Sequence, residues 1–187
     1  MQKKLTMKAK HFLAIALLGF TVLSCKNEES KSEESVQEVV SNRFKITLNA
    51  TVKKDDDFQV YYKDVNDPSV PFSEDKSIYV AVKGSETPQD IVFELPEGAK
   101  PLTLRMDFGL KKDLGDITVN RFSVEYKGKR IDAAGPTFFD YFRPDDSFVK
   151  VDKATSKISP IVAKDGNYDP MMFSVESFDQ QLAQLVK

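Results

Sequence analysis

Residues 44–52 read Phe44-Lys-Ile-Thr-Leu-Asn-Ala-Thr-Val52. Phe44, Ile46, Leu48, Ala50 and Val52 alternate with Lys45, Thr47, Asn49 and Thr51. Successive strand side chains point to opposite faces, so this period of 2 lays an apolar row on a core and a polar row in solvent. The same period returns along the chain. Phe58, Val60 and Tyr62 predict a second strand, after the turn-like residues 53–57, and Ile78, Val80 and Val82 predict a third. Ile91, Phe93 and Leu95 predict a fourth, closed by Pro96 and Gly98, and Leu102, Leu104, Met106 and Phe108 a fifth, preceded by Pro101. Ile117 and Val119, then Phe122, Val124 and Tyr126, predict a long sixth. Its apolar parity switches at Asn120-Arg121, the mark of a β-bulge. Weaker runs follow at 130–133, 147–151, 157–163 and 171–175. Phe178, Leu182 and Leu185 fall at i, i+4 and i+7, which predicts a short C-terminal helix. Many short strands without intervening helices argue for an all-β, antiparallel β-sandwich and against a parallel α/β sheet.

Upstream the composition changes. Residues 1–10 carry four lysines and no acid, residues 12–23 (FLAIALLGFTVL) are apolar, and Ser24 and Cys25 follow. This is the layout of a secretory signal, with an apolar run too short for a transmembrane helix of roughly 20 residues. Met7 also begins a complete signal, so Met1 and Met7 both stand as possible starts. Val22-Leu23-Ser24-Cys25 resembles the lipobox of bacterial lipoproteins, although Leu23 stands where that pattern usually has a small residue. The resemblance implies that residues 1–24 are removed and that Cys25 takes a diacylglycerol thioether and is N-acylated, which anchors the chain in a membrane. Lys26 stands where inner-membrane retention usually has Asp. Lys26-Asn27-Glu28-Glu29 is similar to the Bacteroidetes-type export signal. Both imply the outer membrane, with the cell surface favoured over the periplasmic face.

Residues 25–42 are Glu/Ser-rich without an aromatic and read as a tether, with a short helix over Val36, Val39 and Val40 as the alternative. Residues 43–187 then form one domain, long enough to bury a core without staples. The chain has one His, one Cys and no Trp, and His11 and Cys25 both lie in the first 25 residues. A body without imidazole or thiol excludes Ser-His-Asp and Cys-His catalysis, zinc sites built from His and Cys, and an intramolecular disulfide. Cleavage removes four of the 27 basic side chains and leaves 23 against 29 acids, a net charge of −6. The absence of a basic cluster argues against nucleic acid as a partner.

Ile91-Val-Phe-Glu-Leu-Pro96, Leu102-Thr-Leu-Arg-Met-Asp-Phe-Gly109 and Ile117-Thr-Val-Asn-Arg-Phe-Ser-Val-Glu-Tyr126 look like a pattern of jelly-roll accessory modules found with cell-surface glycosyltransferases and glycan-binding proteins. The resemblance implies a galactose-binding-like sandwich and carbohydrate as ligand, and transfers no catalytic residue.

Three constellations carry candidate chemistry. Arg105 and Asp107 share a strand face opposite Leu104 and Met106, where they either grip sugar hydroxyls or enter cross-strand ion pairs on a solvated face. Phe138, Phe139, Tyr141 and Arg143, with Phe142 among them, are either an exposed platform for a sugar or partner, or a plug at one end of the sandwich. Tyr61 and Tyr62 are adjacent on a strand, so one faces the core and the other is expected to be exposed. Asp55-Asp56-Asp57, Asp64-x-Asn66-Asp67, Asp145-Asp146 and Asp165-x-Asn167-x-Asp169 are oxygen-rich. They read better as turns than as Ca²⁺ sites, with one structural Ca²⁺ as the alternative. Together these features predict a lipid-anchored, non-catalytic envelope protein that binds a glycan or a neighbouring envelope protein. A structural subunit of an outer-membrane complex is the alternative, and a carboxylate-pair glycoside hydrolase comes third.

Overall fold

The structure, a computed structural model, describes residues 41–187. The leader, Cys25, the helix considered over residues 36–40 and all but the last two residues of the tether lie outside them. Eleven strands and two helices follow in order. The first seven strands are β1 (Lys45–Val52), β2 (Asp56–Lys63), β3 (Ser77–Val82), β4 (Gln89–Glu94), β5 (Thr103–Phe108), β6 (Ile117–Tyr126) and β7 (Lys129–Ala134). Then come α1 (Gly135–Tyr141), β8 (Phe142–Pro144), β9 (Val149–Asp152), β10 (Lys157–Pro160), β11 (Met171–Ser174) and α2 (Glu176–Leu185). The chain is an antiparallel β-sandwich, as its alternation predicts. The first sheet runs β4-β1-β6-β10-β9, with β7 also paired to β6, and the second runs β3-β2-β5-β11-β8. Set side by side, the two orders match each strand with its neighbour in the chain: β4 with β3, β1 with β2, β6 with β5, β10 with β11, and β9 with β8.

The core lies between the sheets. Phe44, Ile46, Leu48, Ala50 and Val52 are all fully buried, with Val60, Leu104, Phe108, Phe122 and Val124 from neighbouring strands. The expected bulge is present. The β1–β6 register passes from Asn49 opposite Arg121 to Ala50 opposite Val119, which leaves Asn120 as the extra residue. That insertion keeps Ile117 and Val119 on the same face as Phe122, Val124 and Tyr126. Gly135 starts α1 beside the bulge, where a Cβ would overlap the Val119 carbonyl oxygen and Ser156 Oγ. α1 therefore enters at a point that admits no side chain.

α1 and α2 close one end of the sandwich with aromatic rings. Phe122 stands edge-on to Phe138, Phe142 and Phe178, at centroid distances of 5.5, 5.2 and 5.7 Å. Tyr141 stacks on Phe178 at 4.7 Å. In α2, Phe178, Leu182 and Leu185 all face inward, as their spacing predicts. Asp56, at the start of β2, ties down the β5–β6 loop. Its buried carboxylate accepts the backbone N–H groups of Asp57, Leu110 and Lys111 at 2.8, 2.8 and 3.1 Å. Gly109 has φ +89°, and a Cβ there would lie 2.6 Å from Asp56 Oδ2, so the close approach requires glycine.

Candidate functional site

The outward-facing residues of the second sheet do not form an ordinary solvated surface. On β2, Phe58, Val60 and Tyr62 point into the core, so Gln59, Tyr61 and Lys63 point away from it. All three are nonetheless buried, at 5%, 5% and 7% exposure. Residues 64–76 fold back across them and end in a 3-10 turn at Glu74–Lys76. The register then builds a row across the sheet, with Tyr61 opposite Arg105, Arg105 opposite Phe173, and Phe173 opposite Arg143. Rings and cations thus alternate across four strands. The Arg105 guanidinium lies 4.2 Å from the centre of the Tyr61 ring, and that of Arg143 lies 5.0 Å from Phe173. Phe72, from the covering segment, sits above the row. Its ring centre is 6.3 Å from Tyr61, 6.2 Å from Phe173 and 4.9 Å from Lys63 Nζ. Cations over aromatic faces gain electrostatic attraction as they lose water, and the cover provides that shielding.

Polar groups hold this face in place. Arg105 is bidentate to Asp107, with Nε–Oδ1 at 2.7 Å and Nη2–Oδ2 at 2.5 Å. Burial pushes the Asp107 carboxyl above the ordinary carboxylate range, and the bonds from Arg105 offset only part of that push. The Tyr61 hydroxyl donates to Glu74, which also accepts Gln59 Nε2 at 3.1 Å. Burial, then the Glu74 bond, holds the Tyr61 hydroxyl protonated well above its ordinary value. Glu74 is held below the usual range, first by the Tyr61 bond. One carboxylate thus fastens the covering segment to β2.

Beside Phe72 this face opens into a cleft of about 320 Å³, whose lining includes Lys63, Phe72, Thr103, Arg143, Phe173 and Asp179. Lys63 Nζ donates to the carbonyls of Asp67 at 2.9 Å and Val70 at 3.0 Å. Among the described residues it has no carboxylate partner, and neither has Arg143. Thr103, paired with Lys63 across the strands, has a buried hydroxyl without a hydrogen-bond partner. Ser174 Oγ donates to Asp179 Oδ1 at 2.5 Å and accepts Leu104 N–H at 2.9 Å. Burial raises the Asp179 carboxyl, while the Ser174 bond and the charge of Lys63 lower it in part.

Larger hollows, of about 420 and 520 Å³, lie over the first sheet. Several of their charges are matched, and Arg43, Glu94, Lys127 and Lys129, which have no ion pair among the described residues, are exposed to water. Lys45 pairs with Glu125 at 3.0 Å, Arg121 with Asp132 at 2.6 Å, Arg130 with Asp132 at 2.5 Å, and Arg130 also with Glu125. Asn49 Nδ2 donates to Asp90 at 2.6 Å. We therefore take the smaller cleft, which buries Lys63 and the unpartnered Thr103 hydroxyl, as the candidate site.

The residues singled out from the sequence fall in different places. Arg105 and Asp107 share the expected face, and Arg143 lines the cleft. Their pairing runs along one strand and is largely covered, at 19% and 14% side-chain exposure, where a solvated ion pair was the alternative. Tyr61 is a correction: it is on the outer face as expected, yet the covering segment buries it. Tyr62 belongs to the core. Phe138 and Phe139 are a further correction, since both are buried at the closed end, and Tyr141 is half-buried on Phe178. The aromatic run is thus the plug and not a platform.

The acidic loops fold as turns. Asp64 pairs with Lys76 at 2.7 Å, Asp67 accepts Ser69 N–H at 2.8 Å, and Asp165 accepts Asn167 N–H at 3.0 Å. Asn66 borders the cleft, and Asp169 lies near enough to Arg105 to act on its charge. Among the described residues, no three carboxylates, His or Cys gather as a metal ion requires.

Sequence reasoning missed Lys63, Phe72, Glu74, Thr103, Phe173 and Asp179. The available signal was Phe72 between Pro71 and Ser73 in a polar loop: a large ring that needed a surface to cover. No family model matches the chain, and neither curated proteins nor solved structures give a match.

Proposed function

We propose that the chain is a lipid-anchored, non-catalytic binding protein of the outer membrane, with the cell surface favoured, and that its second sheet receives a glycan. The observation that carries this reading is the cleft, where the rings of Phe72 and Phe173 stand beside Lys63, Thr103 and Arg143. Sugar rings are amphipathic: their C–H faces pack on aromatic rings, and their hydroxyls take directed hydrogen bonds. The strand pairs that pass from sheet to sheet suit the jelly-roll likeness of residues 91–126. Of the exposed large apolar residues among those described, only Val65 and Val70 share a segment, and Tyr79, Val92, Leu110 and Val162 each sit on another. That disfavours the flat apolar patch of a structural subunit. Asp179 is the one carboxyl lining the cleft, whereas carboxylate-pair hydrolysis requires two.

The test is a glycan array probed with the full chain. Binding to a defined set of glycans, lost in Phe173→Ala with an unchanged melting temperature, supports the reading. Absence of binding to every glycan, alongside a stoichiometric envelope protein in pull-downs, overturns it in favour of a structural subunit. The anchor has its own test: Cys25→Ala is expected to release the protein from membranes, and unchanged membrane retention overturns the anchor.

A further inference from the structure

The cleft is unusual in burying a cation that has no carboxylate partner among the described residues. The chain as a whole is acidic, at −2 by formal count. Most of the charged side chains on the first sheet's outer face are matched by ion pairs. Within the cleft, two cations face one carboxyl. Lys63 is the stronger anomaly, because an ammonium at 7% exposure is normally paired with a carboxylate. Here two neutral carbonyls accept two of its three N–H groups and the Phe72 ring lies 4.9 Å away, which leaves one donor open and no carboxylate in direct contact. Arg143 reaches the same cleft with its guanidinium over Phe173, free of any ion pair among the described residues. The Thr103 hydroxyl is directly across from Lys63, buried and without a partner.

From these groups, and resting on the glycan reading above, we infer that the cleft recognises a carboxylate-bearing sugar of the uronic-acid class. Its carboxylate lies between Lys63 and Arg143 and accepts the Thr103 hydroxyl. A carboxylate answers each open group at once: it neutralises the buried ammonium, takes the planar fork of Arg143 and accepts the orphaned hydroxyl. The rings of Phe72 and Phe173 require an apolar face beside that charge, which a sugar ring has and a free inorganic anion lacks. The cleft of about 320 Å³ is at the small end of ligand pockets, roughly 300–1,000 Å³, and suits the end of a chain. Asp179 does not oppose this. Ser174 Oγ engages its Oδ1 at 2.5 Å, which leaves Oδ2 to accept a sugar hydroxyl.

The experiment titrates the full chain in detergent with oligogalacturonate, alginate and hyaluronan fragments. Each is measured beside its methyl ester, which keeps the ring and removes the charge. At least one acid is expected to bind about tenfold or more tightly than its ester, as charge-assisted hydrogen bonds imply. The difference is expected to shrink as salt rises. Lys63→Met and Arg143→Gln are each expected to weaken the acid about tenfold and the ester much less. Arg143 is exposed, so its variant folds even if the buried Lys63→Met does not. Equal binding of acid and ester, unmoved by Arg143→Gln, overturns the uronic-acid assignment and leaves the glycan reading in place. Failure of every acid and ester to bind, with neutral glycans still bound on the array, also overturns the assignment alone. Failure on both panels overturns the two together.

Discussion

The outer faces of the two sheets start from the same strand grammar and end differently. On the first sheet, Lys45, Glu125, Arg130, Asp132 and Arg121 form a chain of contacts in which each charge meets its opposite, with side chains 30–58% exposed. Water and neighbouring charges satisfy this face, and little of the fold rests on it. On the second sheet, Gln59, Tyr61 and Lys63 occupy equivalent outward positions, yet residues 64–76 cover them. Covering a polar face removes the water that would have satisfied it, so every group there needs a protein partner or a ligand. Tyr61, Gln59, Arg105 and Asp107 have protein partners; Thr103 has none, and Lys63 has two carbonyls but no carboxylate. The difference shows that a polar alternation in a strand does not by itself mark a solvent surface, and that unmatched groups become informative once a face has been covered.

The comparison can be broken most sharply with Tyr61→Ala. Removing a buried ring is expected to cost about 3 kcal/mol by urea denaturation, against less than about 0.5 kcal/mol for Thr47→Ala on the first sheet. Equal losses would mean that the cover contributes nothing. Next is Arg105→Met, expected to cost about 2 kcal/mol because it strands the Asp107 carboxyl in a covered site. The double variant Arg105→Met, Asp107→Leu is expected to regain part of that loss, and a fully additive loss would show that the two groups are uncoupled.

A pH titration tests the same cover from another side. The Tyr61 hydroxyl titrates above its ordinary value of 10.0, and burial pushes Tyr168 up to about 12. The folded state therefore holds protons that the unfolded chain releases, so this contribution is complete below pH 10 and is lost as pH rises through the folded values. Stability is expected to fall on the alkaline side and to fall less steeply in Tyr61→Phe. A slope unchanged by that substitution counts against the cover. The smallest effect is expected from Arg130→Ala, within about 0.5 kcal/mol and vanishing in high salt. A loss of several times that size would give the first sheet's charge lattice a weight that its exposure argues against.

The strands were legible because alternation reports which side faces the core, and even the parity switch at Asn120 was visible as a bulge. The closed end was legible in part. Four aromatics in Phe138–Arg143 had to be buried or exposed together, and residue type alone does not say which. The answer depends on Gly135 entering beside Val119 and on Phe178 arriving from the far end of the chain. The site was the least legible. Arg105, Asp107 and Arg143 stood out by charge and spacing, but Lys63 and Thr103 look like ordinary outward residues of β2 and β5. Their significance comes from Phe72 and the segment around it, a long-range fold-back that no local pattern encodes.

The matched strand orders also bear on how the molecule assembles. β1 lies between β4 and β6, and β5 pairs with β11, which begins at Met171. Until that late segment has emerged, β5 is an edge with open backbone donors and acceptors beside the growing hydrophobic interior. Contacts of such long sequence separation place this chain among slow, high-contact-order folders, in the range of about milliseconds to seconds. A chain cut short of Met171 leaves one edge of β5 open, so the second sheet is completed only by the last strand made.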